Sequence, residues 1–207
     1  MQKMHIYVFL LLTFVTNLVL AQQPAKKILV MGDSLSAGYG IDIQQGWVSL
    51  LKKQLTETHP VEIINASVSG ETSSGGKTRL PALLNEHKPD IVILELGGND
   101  GLRGQPLKLL ENNLQAMIDT SKSSGAQVIL AGMQIPPNYG PRYSSEFKAL
   151  YEKLAEKNQS GLIPFLLEGI GGNAELMQRD GIHPTAEAQQ VIVDNALPEI
   201  KKFLDQQ

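Results

Sequence analysis

Five apolar runs rich in Ile, Leu and Val recur along the chain with segments of helical length between them: KILVM (27–31), VEIINA (61–66), DIVILELG (90–97), AQVILAGM (126–133) and GLIPFLL (161–167). The runs are near-continuous rather than alternating. A strand with one wet face alternates apolar and polar residues, so continuous runs describe strands covered on both faces. The intervening segments, among them WVSLLKKQLTET, PLKLLENNLQAMIDTSKSS and YSSEFKALYEKLAEKN, carry apolar residues at three- and four-residue spacing, the stripe of a helix that packs on a sheet. Strand and helix in alternation predict a three-layer α/β/α fold, a five-stranded parallel sheet between two helix layers, closed by PTAEAQQVIVDNALPEIKKFL as the last helix. No repeat, low-complexity tract or linker interrupts the pattern, so it describes one domain.

Ahead of the first run, Met1-Gln2-Lys3 leads into an apolar stretch, IYVFLLLTFVTNLVL (6–20), and then Ala21. The stretch is short for a bilayer span, and Val19-Leu20-Ala21 offers the small residue a signal peptidase requires at its cut. Residues 1–21 therefore read as a cleaved secretory signal peptide and 22–207 as the mature domain, exported to a periplasm; the alternative is an uncleaved membrane anchor. The chain has no cysteine, so its stability rests on packing without disulfides, and no N-terminal cysteine can carry a lipid. The exported protein is expected to have no stable membrane anchor. With 21 acidic against 18 basic residues and a formal net charge of −3, the chain has no electrostatic footprint for nucleic acid or an anionic membrane.

The stretch SVSGETSSGGKT (67–78) comes close to a phosphate-binding loop, with glycines, small hydroxyl residues and then Lys77-Thr78. The spacing excludes it. A P-loop needs a glycine five residues before the one that precedes the lysine, and that position is Glu71, a carboxylate inside what would be the anion cradle. The loop needs another explanation.

In open parallel sheets the active site lies beyond the C-terminal ends of the strands. After the first run comes Gly32-Asp33-Ser34-Leu35; after the second, Ser67-Val68-Ser69-Gly70; after the third, Gly97-Gly98-Asn99-Asp100; near the end, Asp180-Gly181-Ile182-His183-Pro184. Ser34 sits on a tight strand-to-helix turn, and its hydroxyl is a poor nucleophile until a base takes its proton. Of the histidines beyond the signal, His59 and His87 directly precede the second and third strands, at the opposite edge of the sheet. His183 follows the strands and has Asp180 three residues before it, close enough to hold the imidazole in the tautomer that presents a free nitrogen to Ser34. The alternative for DGIHP is an ordinary loop capping a helix that begins at Pro184. An acyl-transfer site also needs preset donors for an oxyanion. The Gly70 N–H, the Asn99 side-chain amide and the Ser34 N–H are the candidates, so the glycine-rich loop would aim backbone donors at a transient negative charge on carbon rather than at phosphate.

Ser34, Gly70, Asn99 and His183, in that order within GDSL, SGETS, GGND and DGIHP, resemble the four blocks of the SGNH, or GDSL-type, hydrolase family. The likeness continues through ELGGNDGLRG, NYGPRY (138–143) and RLPALL and extends over essentially all of the segment from residue 22 onward. The resemblance implies a flavodoxin-like sheet in the order 2-1-3-4-5, a serine nucleophile, no metal and no cofactor. It implies a secreted serine esterase of lysophospholipase, thioesterase or arylesterase type, which takes a small-molecule acyl ester or thioester through an acyl-enzyme; the protein is expected to be a monomer. The alternatives are a carbohydrate acetylesterase, since related folds take acetylated sugars, and a non-catalytic binding protein on the same fold.

Asp33, Glu71 and Asp100 fall near the same edge and read as turn-fixing residues that bond backbone N–H groups rather than as a glycosidase carboxylate pair. Arg79, Arg103 and Arg142 read as solvated or loop-bracing. Leu102, Ile135, Pro136, Pro137, Tyr139 and Ile182 are apolar loop residues with no obvious core partner. They predict a groove for an acyl chain, with hexanoyl to decanoyl esters preferred over acetyl; the alternative is that these loops only pack on one another. The pattern is weakest over FLLEGIGGNAELMQR (165–179).

Overall fold

Parallel strands β1 (Lys26–Gly32), β2 (Val61–Asn65), β3 (Ile91–Glu95), β4 (Gln127–Ala131) and β5 (Gly161–Ile163) form one sheet in the order β2-β1-β3-β4-β5. They belong to a computed structural model that describes residues 24–205; the expected signal peptide, 1–21, lies outside the described residues. The helices are α1 (Ser34–Ala37), α2 (Trp47–Thr56), α3 (Ser73–His87), α4 (Gly98–Leu102), α5 (Leu107–Ser123), α6 (Pro141–Asn158) and α7 (Gln189–Asp205). Each strand-to-strand connection runs through helix, as a parallel sheet demands.

Alternation along the strands sorts the core into two halves, one on each face of the sheet. Leu29, Met31, Val92, Leu94, Val128 and Leu130 turn toward α3, α5 and α6, where they meet Leu80, Leu114, Phe147 and Leu154. Ile28, Val30, Ile91, Ile93, Ile129 and Ile163 turn the other way, onto Trp47 and Leu51 of α2 and Ile192, Ala196 and Ile200 of α7. Both sets are buried, and burying one such side chain contributes about 1.5–3 kcal/mol. The register of β1 against its neighbours, Ile28 opposite Ile63 and Ile91, brings the C-terminal ends of β1, β2 and β3 together.

Two elements differ from the sequence expectation. The run GLIPFLL is a strand only as far as Ile163, because Pro164 has no N–H for the ladder; Gly132 N–H bonds Ile163 O (2.8 Å) and Leu166 N–H bonds Gly132 O (3.0 Å) as the chain leaves the sheet. The last helix starts at Gln189 rather than at Pro184. Pro184 pairs antiparallel with Met177 in an isolated bridge, which keeps the chain extended there, and residues 185–189 form turns whose bonds span three residues.

Candidate active site

The Ser34 turn is assembled from behind. Asp33 follows β1 and caps α1, its Oδ1 accepting the Leu35 N–H at 3.0 Å, which leaves Ser34 as the first helical residue. Glu95, the last residue of β3 and wholly buried, accepts the Asp33 N–H (3.1 Å) and the Ser36 hydroxyl (2.6 Å) on the same oxygen. Trp47 Nε1 donates to that hydroxyl at 3.2 Å. Gly32 is required by the approach of this carboxyl, since a Cβ there would lie 2.4 Å from Glu95 Oε2. Burial pushes Glu95 well above the usual carboxylate range, and the neighbouring Asp33 charge adds to the rise. Burial also raises Asp33, opposed by the bonds it accepts from Leu35 and Asn99. Glu95, the more deeply buried of the two, is the carboxyl whose ionisation is the more strongly disfavoured. The sequence reading missed Glu95; a lone acid inside the apolar run DIVILELG was the available signal.

On the other side of Ser34, its hydroxyl lies 2.9 Å from His183 Nε2, and His183 Nδ1 lies 2.7 Å from Asp180 Oδ2. The Asp180 carboxylate accepts two backbone bonds on Oδ1, from the N–H groups of Ile182 (2.9 Å) and His183 (3.0 Å). The His183 backbone bond, then the bond from its ring, hold Asp180 down to about 2. A carboxylate at Nδ1 fixes the tautomer with a free Nε2, the arrangement in which an imidazole can take a proton from a hydroxyl. His59 instead contacts Thr58 and Asp205, and His87 sits at the C-terminal end of α3 beside Glu86.

Asn99 Nδ2 donates to Asp33 Oδ2 at 3.1 Å, so one amide hydrogen is committed and the side chain is oriented, with its second hydrogen available. Gly70 is exposed at φ 79°, a left-handed conformation that costs an L-residue roughly 1–2 kcal/mol. Its carbonyl accepts from Arg103 Nη2 at 3.2 Å, which ties the Gly70 loop to the end of α4. A second tie is buried: Asp100 accepts both the Ser73 N–H (2.8 Å) and the Ser73 hydroxyl (2.6 Å). Asn113 of α5 donates to the Ser73 and Ser74 hydroxyls and accepts from Lys77 at 2.7 Å. Lys77 therefore serves the packing of α3 on α5. Glu71 departs from its expected backbone role and pairs with Arg79 Nε at 2.7 Å, while Arg79 also bonds Ala66 O; Arg142 is exposed and pairs with Glu146.

Ser34, Asn99 and His183 lie in the wall of a cavity of about 540 Å³, within the range of small-molecule pockets. Leu102, Ile135, Pro136, Pro137 and Ile182 line it too. Gly70 and Tyr139 are not in its wall: the Tyr139 hydroxyl donates to Leu102 O at 2.7 Å, so it buttresses a wall residue from outside. The sequence reading missed Met133, Phe165, Leu166, Leu167 and Met177, which complete the apolar lining. Most of these come from 165–177, where the segment's turns carry no periodicity to betray them. Among the described residues no group of three or more His, Asp or Glu side chains is arranged to hold a metal ion.

The model of the GDSL-like lipase/acylhydrolase family matches residues 30–191. The chain is 50% identical over 184 residues to the esterase TesA of Pseudomonas aeruginosa, spanning 88% of this chain and 92% of that protein. It is 41% identical over 181 residues to thioesterase 1/protease 1/lysophospholipase L1 of Escherichia coli, spanning 87% and 86%. A crystal structure of TesA superimposes with a TM-score of 0.85 at 49% identity, covering 86% of this chain and all of the other.

Proposed function

The chain belongs to the GDSL-like lipase/acylhydrolase family and is an ester-hydrolysing serine hydrolase, and on that premise we propose that it cleaves acyl esters and thioesters in two steps through an acyl-enzyme. The observation that carries this reading is the line from Asp180 through His183 to Ser34, at 2.7 Å and 2.9 Å, opening onto an apolar cavity. In the first step the Ser34 proton passes to His183 Nε2 as Oγ attacks the acyl carbon. The carbonyl oxygen becomes an oxyanion, which the Ser34 and Gly70 N–H groups and the Asn99 amide stabilise. Collapse breaks the bond to the leaving alcohol or thiol, which takes the proton from Nε2. In the second step a water gives its proton to Nε2, attacks the acyl carbon and releases the acid, and the proton returns to Ser34. Asp180 stays a carboxylate and balances the imidazolium in both steps.

The cavity's apolar lining supports an acyl chain of hexanoyl to decanoyl length as the occupant, with Leu102, Ile135, Pro136 and Ile182 among its contacts. Export by cleavage after Ala21 belongs to the same reading, on the strength of residues 1–21, and gives a mature protein that starts at Gln22 and acts as a monomer on small-molecule esters. The test is a fluorophosphonate probe followed by peptide mapping, alongside turnover of a chain-length series of chromogenic esters. The reading expects label on Ser34 and kcat/KM that rises from acetyl toward octanoyl. Label elsewhere would overturn the serine assignment, and a maximum at acetyl would replace the acyl groove with a sugar deacetylase site.

A further inference from the structure

The turn that leaves α1, Gly38-Tyr39-Gly40, has no part in the steps above. Both glycines have positive φ, 74° and 77°, so the chain reverses sharply and carries Tyr39 outward. Tyr39 is 52% exposed, yet its ring centroid lies 4.4 Å from that of His183, with the planes tilted by 37°. The backbone beneath it is fixed. Tyr39 N–H donates to Ser34 O at 3.1 Å, and Gln178 Nε2 donates both to Tyr39 O (2.8 Å) and to Pro184 O (3.0 Å). The backbone N–H of Gln178 donates to His183 O at 2.7 Å. Gln178 thus ties the turn that carries the nucleophile to the loop that carries the base. Gly40 makes room for the tie, since a Cβ there would lie 2.3 Å from Gln178 Oε1.

We propose that Tyr39 is a positioning residue for the hydrolytic reaction, stacked on the His183 imidazole to hold its orientation and to stabilise the imidazolium, with Gln178 setting the ring in place. The inference rests on the role of His183 as base. In each step the imidazole gains a proton, and a cation within about 6 Å of an aromatic face is attracted by the ring's negative quadrupole. The groups facing this imidazole are Asp180 at Nδ1, Ser34 at Nε2, the Asp33 carboxyl, whose charge acts on it, and Tyr39. Asp180 already lowers the energy of the cation in the plane of the ring. Tyr39 works from out of that plane and covers a surface that water would otherwise reach. Its contribution grows as the proton arrives, so it lowers the barrier more than it strengthens binding.

The test compares kcat, KM and the thermal midpoint of Tyr39→Phe, Tyr39→Trp, Tyr39→Leu, Gln178→Ala and the Tyr39→Leu/Gln178→Ala double variant on one chromogenic ester, beside Ser34→Ala. Leucine keeps most of the volume and removes the π-face. The inference expects Tyr39→Phe and Tyr39→Trp within about twofold of the parent, and Tyr39→Leu lower in kcat by about 5- to 10-fold at unchanged KM and thermal midpoint. Gln178→Ala should fall similarly, and the double variant should be no worse than the weaker single. Full kcat in Tyr39→Leu would overturn it, as would an effect on KM alone, which marks a substrate contact, or equal losses in Tyr39→Phe and Tyr39→Leu, which mark the hydroxyl. Turnover retained by Ser34→Ala would remove the serine reading itself, and this inference with it; an inactive Ser34→Ala beside a fully active Tyr39→Leu would remove the inference alone.

Discussion

Ser34 and Asn99 lie at the starts of α1 and α4, just after β1 and β3, and Gly70 lies in the loop from β2 to α3, whereas Asp180 and His183 hang from residues 164–188, a stretch of turns between β5 and α7. In the first group Ser34 and Asn99 are clamped from inside the protein. Glu95 grips both sides of the nucleophile turn, Asp33 orients Asn99, and Asp100 joins the start of α3 to α4, all three carboxyls being buried. The second group is held from the surface side. One bridge, two backbone bonds to an Asp180 side chain that is 38% exposed, and the Gln178 amide fix the His183 loop. The contrast teaches that Ser34 and Asn99 are braced by buried carboxyls, while the Asp180–His183 pair is held by local bonds that water can reach.

The severest break of that contrast is removal of a member of the reacting pair. Ser34→Ala and His183→Ala should each lower kcat by roughly 10⁴-fold or more, with the double variant hardly worse, because the two act as a unit. Asp180→Ala should cost somewhat less; a His183→Ala enzyme that kept most of its activity in the same ester assay would return His59 and His87 to consideration.

Breaking the proposed oxyanion donors comes next. Asn99→Ala should lower kcat by about 10²- to 10³-fold with little change in KM. Gly70→Ala should also impair kcat, since alanine resists φ 79°. Lys77→Ala, which loses only the Asn113 bond of the α3–α5 packing, should leave steady-state kinetics unchanged. A pure KM effect in Asn99→Ala would make that side chain a substrate contact.

The cavity wall takes Ile135 from the segment after β4 and Leu167 from the stretch after β5. Each buried methylene of an acyl chain is worth at most about 0.8 kcal/mol, close to fourfold. Ile135→Ala and Leu167→Ala should therefore reduce kcat/KM for decanoyl esters several-fold more than for acetyl esters. Equal losses on both would show that these residues only support the loops.

The smallest effect, and the one that separates the two groups by sign, is on stability against pH. Glu95 is raised above its ordinary 4.5, so the folded chain holds the proton longer than the unfolded chain. Its contribution is complete below 4.5 and is lost as pH rises through the raised folded value. Asp180 is lowered from 3.8 to about 2, so its contribution is present above 3.8 and is lost as pH falls toward 2. In thermal melts, Glu95→Gln should lose less stability than the parent as pH rises above 4.5. Asp180→Asn should lose less than the parent between about pH 4 and pH 2.5. Parallel curves for Glu95→Gln and the parent would mean that Glu95 is not the buried acid.

The strands were legible because each is written locally, whereas their order followed only from the family resemblance. Apolar runs flanked by helical stripes name buried parallel strands, and the loops after the first three strands and after the last, which carry Ser34, Gly70, Asn99 and His183, fall at one edge of such a sheet. Less legible were residues whose meaning lies in a partner far along the chain. Glu95 reads as an acid inside an apolar run until Gly32, Asp33 and Ser36 close around its carboxyl. The breaker Pro164 was in view, yet GLIPFLL looked like a longer strand, and nothing periodic marked Phe165, Leu167, Met177 or Gln178 as neighbours of the site.

The sequence by itself determined the layer architecture, since the period of its apolar residues dictates which elements bury two faces and which bury one. It also determined the chemistry at the strand ends, since only a few side chains there can donate, accept or carry a proton. The tertiary structure alone decided which carboxyl is buried behind Ser34, which wall closes the cavity and which aromatic ring packs on His183. Those outcomes depend on packing between residues remote in sequence, where a side chain's burial and field are set by neighbours that no local pattern names.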